Sequence, residues 1–291
     1  MNYLKTEIWM DIKQGIIKSY KKFIPVVIMG AALAILVIVT VHRLYSKGRL
    51  QYEEFSLADM MLYFFKGKSV CTKEMLESNR LNLPYNYMLV NFYLMFLVGD
   101  YLLRDMCGYG KTVLVRTQKR ISWWLSKCIW CVAQVLVFYG LFYLCMVIAT
   151  VCAGGTLSLK PIMGTSLIIN GLDFSQSEFT VNIGAFMVTA VLLPILVSIA
   201  MMLMQMTIGM FMQPIVGYVV NAVIIVASYF IASPLLLGNA FMMVRSELYK
   251  DGVINPVAIV GVSIFIIIVS VVAGGAYFNR MDIIQRDKLM L

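Results

Sequence analysis

Six apolar stretches leave this chain few ways to fold. They cover residues 23–41, 85–103, 128–153, 183–206, 214–236 and 256–278. A helix needs about 20 consecutive apolar residues to cross the hydrocarbon core of a bilayer, and several of these stretches meet that length. Of 291 residues, 61% are hydrophobic and 13% are charged, whereas a soluble domain carries about 45–50% apolar and roughly 25% charged residues. The surplus apolar side chains must face something other than water. The expected fold is an all-α integral membrane domain of about six transmembrane helices, spanning residues 23–278, with a cytosolic tail over 279–291. Pro25 and Pro214 stand in the first turns of their helices, where a missing N–H costs nothing. Asn255 is placed to cap the last helix.

Residues 1–22 predict an interfacial amphipathic helix. Ile8, Ile12, Ile16 and Tyr20 recur at helical spacing, Trp9 lies near that face, and Lys5, Lys13, Lys18, Lys21 and Lys22 supply charge. These residues lack the early apolar core and small-residue cleavage site of a secretory leader. The formal net charge is +9. The basic residues cluster beside apolar stretches, so membrane lipid phosphates explain them better than nucleic acid does. With six spans, the segments on the terminal side hold fourteen Lys and Arg against ten on the other side. This bias predicts cytosolic termini. Its weak point is the 43–84 loop, which carries seven of the ten together with five acidic residues. The six cysteines form no secreted-type framework and read as reduced, packed thiols.

Several motifs suggest chemistry that their surroundings do not support. Gly108-Tyr109-Gly110-Lys111-Thr112 resembles the end of a phosphate-cradling loop, but Asp105 occupies the place of the first glycine. The chain is therefore expected to bind no ATP itself. Cys128-Ile129-Trp130-Cys131 opens an apolar span without a second ligand pair, so packing outweighs zinc or redox chemistry. His42 is the single histidine, and no catalytic set assembles around it. The methionines at 201, 202, 204, 206, 210 and 212 fall on several helix faces, which favours adaptable packing over copper binding. Five of the spans contain no Asp, Glu, Lys or Arg, and the second has only Asp100. Ion-coupled transporters usually carry ionisable groups at mid-membrane. Any movement driven here is expected to draw its energy from outside the membrane domain.

The segment 104–127 is short, basic and aromatic. Asp105, Gly108, Gly110, Arg116, Lys119, Arg120, Trp123, Trp124 and Lys127 are candidates for docking a cytosolic partner. By residue chemistry alone, a solvated loop with interfacial tryptophans explains it equally well.

In order along the chain, an N-terminal interfacial helix, six spans and this turn resemble the ABC-2 type permeases, the membrane subunits of ATP-binding-cassette transporters. Asp105, Gly110, Arg116 or Arg120, and Lys127 fit the family's turn between spans 2 and 3. The family's proline before the arginine is absent, as is its threonine directly after the glycine. Tyr277-Phe278-Asn279-Arg280-Met281-Asp282-Ile283-Ile284 is similar to the family's usual close. The resemblance implies a bacterial plasma-membrane protein that pairs with a second permease copy or paralogue. It also implies docking to a separate cytosolic ATPase subunit, which would hold ATP and Mg, with no cofactor in this chain. The loop 237–255, with Leu248 and Tyr249, would partly close the outer side. Met201, Met204, Gln205, Gln213 and Asn221 are candidates to line a path for a hydrophobic or amphipathic peptide such as a toxin or antimicrobial peptide. Alternatives are a lipid-like antibiotic or polysaccharide as cargo, or a membrane sensor or binding protein that transports nothing.

Overall fold

A computed structural model of the chain describes residues 2–49, 55–68, 85–99, 101–107, 110, 114, 119–162, 183–247 and 254–281. These residues are mostly helical, with no strand among them; two isolated backbone bridges join Ser56 to Thr156 and Ser246 to Ile254. The helices are α1 (Asn2–Ile12), α2 (Ile24–Ser46), α3 (Leu57–Phe65), α4 (Tyr85–Gly99), α5 (Tyr101–Cys107), α6 (Arg120–Cys152), α7 (Ile183–Met187), α8 (Leu193–Phe211), α9 (Pro214–Phe230) and α10 (Pro256–Arg280). Four continuous helical stretches are long and apolar enough to cross a bilayer: Tyr20–Ser46, Arg120–Cys152, Val188–Phe211 and Pro256–Arg280. Helix α9 has 17 residues and α4 has 15. At 1.5 Å per residue, each is shorter than a hydrocarbon core of about 30 Å.

Helix α8 is the hub of the bundle. It packs against α6, α9, α10 and α4, and its apolar window is the most buried of the four spans. Its start shows how sequence shapes a membrane helix. Pro194 lacks an N–H, so the carbonyl of Ala190 loses its helical donor. The turn Val188–Leu192 widens into a π-helix, and the hydroxyl of Tyr143 on α6 donates to the Ala190 carbonyl at 3.1 Å. A proline is tolerated in a membrane helix when a neighbour satisfies the freed group in this way.

Small residues set the close approaches. Gly217 on α9 lies against the backbone carbonyl of Gln205 on α8, and Gly274 and Gly275 on α10 receive the ring of Trp124. Helices associate in lipid through such contacts, because the surrounding tails are as apolar as leucine. Helix ends follow local rules. Asn255 caps α10 by accepting from Val257 N at 2.8 Å. Ser56 and Asp59 form a reciprocal capping box on α3. Asp59 also accepts from Ile162 N, and Thr156 N donates to Phe55 O at 2.7 Å. The segment after α2 is thereby joined to the segment after α6.

Candidate functional site

A charged node forms where α1, α5 and the head of α6 meet. Lys127 stands near the start of α6, with its side chain 2% exposed. Its ammonium pairs with Asp11 of α1 and, at 2.6 Å, with Asp105 of α5. Ser126 donates to the other oxygen of Asp11, and Tyr101 donates to Asp11 Oδ1 at 3.1 Å. Ser122 donates to Glu7 at 2.6 Å. The ammonium also lies 4.8 Å from the ring centre of Trp123 and 5.2 Å from that of Tyr101. A charge held this far from water requires paired and hydrogen-bonded partners, and this lysine has both.

The carboxylates outnumber the cation. Glu7, Asp11, Asp105 and Lys127 line a cavity of about 20 Å³ together with Gly110 and Trp123. Glu7 Oε1 and Trp123 Nε1 are buried without a hydrogen-bond partner. The cavity has about the volume of one water. A side chain at Gly110 would overlap the Asp105 carboxylate and backbone. The glycine thus lets the chain pass over a buried acid.

The N-terminal helix meets the bundle through its polar edge. Glu7, Asp11 and Gly15 are its buried positions, spaced four apart, whereas Ile8, Ile12 and Ile16 are half-buried and Trp9 and Tyr20 are exposed. Gly15 sits against Trp130, whose ring stacks on Tyr101 with centroids 3.9 Å apart. Lys127 explains this orientation, since a buried ammonium recruits the acidic edge of an otherwise basic helix. Glu7, Asp11, Tyr101, Ser122 and Ser126 were not candidates from the sequence. The available signal was an acidic pair at i, i+4 among five lysines.

The remaining members of the basic segment are placed as follows. Trp123 stacks on Phe278 with centroids 4.7 Å apart, and Trp124 donates from its indole to Val271 O at 2.9 Å. Both rings are buried, so the aromatic face expected to dock a partner is turned into the bundle. Arg120 donates to the carbonyls of Asn279 at 3.0 Å and Met281 at 2.8 Å, closing the end of α10. Lys119 is exposed and lies over the ring of Tyr3. Gly108 and Arg116 lie outside the described residues, as do Asp100, Leu248, Tyr249 and residues 282–291.

The candidate path residues form a network inside the chain. Asn221 donates to Met201 O at 2.8 Å and to Gln205 Oε1 at 3.1 Å, and Gln205 donates to Met95 O at 2.8 Å. Met201, Gln205 and Asn221 are buried, Met204 is half-buried and Gln213 is exposed. These amides tie α4, α8 and α9 together. Cys128 and Cys131 are buried free thiols and His42 is exposed. Among the described residues, no three or more His, Cys, Asp or Glu side chains are arranged to hold a metal ion.

At the opposite end of α9, Arg245 is buried in the short 3₁₀ turns Leu237–Phe241 and Met243–Arg245. It donates to the carbonyls of Ser228, Tyr229 and Lys68 and to Asn239. This fastens the turn between α9 and α10 to the segment after α3.

Residues 34–284 match the family described as Protein of unknown function (DUF2705), and the chain belongs to that family. Neither a curated protein nor a solved structure matches it.

Proposed function

We propose that this DUF2705 protein is the membrane subunit of an ATP-driven exporter, working with a separate cytosolic ATPase and a second membrane subunit to move hydrophobic or amphipathic peptides. The observation that carries the reading is the charged node. It joins α1, α5 and the head of α6 into one unit, and Arg120 ties that unit to the end of α10. A push on this end of the bundle is transmitted to α6 and α10 together. The partner would meet the exposed side chains there, including Lys119 and Lys5, while Lys127, Trp123 and Trp124 transmit the movement from inside.

In this reading the topology has six spans with both termini on one side. The bridge between Ser56 and Thr156 joins the segment before α3 to the segment after α6. In this reading the chain between them returns across the bilayer through α4 and α5. Tyr87 near the start of α4 donates to Ile225 O late in α9, and Asp105 at the far end meets Lys127. Gln205 and Asn221 hydrogen-bond within one chain, and in this reading the path for cargo lies between two membrane subunits.

Co-purification tests the proposal. A tagged copy extracted from its native membrane in mild detergent is expected to bring down a P-loop ATPase near one-to-one, with hydrolysis that responds to amphipathic peptides. Repeated purification of the chain without an ATPase, across several mild detergents, overturns it.

A further inference from the structure

An apolar groove of about 550 Å³ runs along the N-terminal junction, bounded by the segment before α2, the first turns of α2 and the middle of α6. This volume lies within the range of about 300–1,000 Å³ typical of small-molecule sites. Ile17, Tyr20, Ile24 and Ile28 form one wall, and Val137 and Leu141 of α6 form the other. From Tyr20 to Ile28 the wall rises roughly 12 Å at 1.5 Å per residue. Ile17, Tyr20, Ile24 and Ile28 are each about half or more exposed.

Two lysines adjoin this wall in the sequence. Lys18 and Lys21 are exposed and immediately follow Ile17 and Tyr20, and Lys21 stands three residues before Ile24. Tyr20–Ser46 has no acidic residue, and among the described residues neither lysine is paired with a carboxylate. A groove that accepts hydrocarbon, walled by residues that directly neighbour two exposed lysines in the chain, complements one kind of molecule, with a negative head and an apolar tail. Zwitterionic lipid would fill the groove but gain less from the lysines.

We propose that the groove seats one acyl chain of an anionic phospholipid whose phosphate is held by Lys18 and Lys21. The lipid then fills the angle between the N-terminal segment and α2, bracing the helix that carries Asp11. This assignment is independent of what the protein transports.

The full chain, reconstituted in nanodiscs with equal phosphatidylglycerol and phosphatidylcholine, is released into mild detergent, and the retained lipid is counted by native mass spectrometry. A lysine near an anionic surface is worth about fivefold in binding. Retention of phosphatidylglycerol is therefore expected to exceed that of phosphatidylcholine by on the order of tenfold or more. Lys18→Ala with Lys21→Ala brings the two to parity with an unchanged unfolding curve, and Ile24→Trp removes both lipids by filling the groove. Equal retention by the parent chain overturns the proposal, as does a preference that survives either set of substitutions. A disulfide-linked dimer formed through Ile24→Cys, with no retained lipid, assigns the groove to a second copy instead and equally overturns it.

Discussion

Replacing Lys127 by methionine probes the charged node with little change in side-chain volume. The ammonium is 2% exposed and faces two carboxylates that are each 9% exposed. Its loss leaves Asp11 and Asp105 buried beside Glu7 with no cation between them. Removing one member of a buried ion pair costs about 3–5 kcal/mol, and the surrounding rings contribute further cation–π attraction. The expected cost of Lys127→Met is about 4 kcal/mol. The assay is unfolding of the full chain from mild-detergent micelles by added SDS, followed by far-UV circular dichroism and tryptophan fluorescence. Trp123 and Trp130 stack at the node, so fluorescence reports its opening directly. Asp11→Asn in the Lys127→Met background is expected to recover part of the loss, with a coupling of about 1–3 kcal/mol. Added salt has little influence, because buried pairs are poorly screened. A cost below about 1 kcal/mol, or strictly additive effects of the two substitutions, refutes the argument that the ammonium holds α1 and α5 to α6.

Two further substitutions test the packing. Tyr143→Phe deletes the donor to the Ala190 carbonyl and is expected to cost about 1 kcal/mol. In a Pro194→Ala background, where the backbone N–H returns, the same change is expected to be nearly neutral. Equal costs in both backgrounds contradict the account of the π-turn. Gly274→Ala forces a methyl group onto the ring of Trp124 and is expected to destabilise the chain by about 1–3 kcal/mol, with a shifted tryptophan emission. An unaltered spectrum and unfolding midpoint would show that the ring does not occupy that seat.

Local rules were legible in the sequence. Pro214 and Asn255 start their helices as expected, and the four long apolar helices lie where their composition places them. Non-local partners were hidden. Trp123 and Trp124 are amphipathic rings beside basic residues, which suits a membrane interface as well as a buried seat. Deciding between these requires Gly274, Gly275 and Phe278, about 150 residues away. Similarly, Gln205, Gln213 and Asn221 read as equivalent polar groups. Only the crossing of α8 and α9 shows that two of them join while Gln213 remains exposed. The polar edge of α1 was obscured because hydrophobic spacing directs attention to Ile8, Ile12 and Ile16, whereas a distant lysine determines which edge faces inward.

The closure of α10 bears on how the chain matures during synthesis. Arg120, Trp123 and Trp124 wait in the nascent protein until a helix some 150 residues downstream supplies two carbonyls, an aromatic ring and a pair of glycines. Until then, two indoles and a guanidinium stand uncovered at one end of an inserted span. A ribosome stalled before α10 would therefore leave a chain marked as unfinished on its surface, where a membrane chaperone or quality-control protease would meet it.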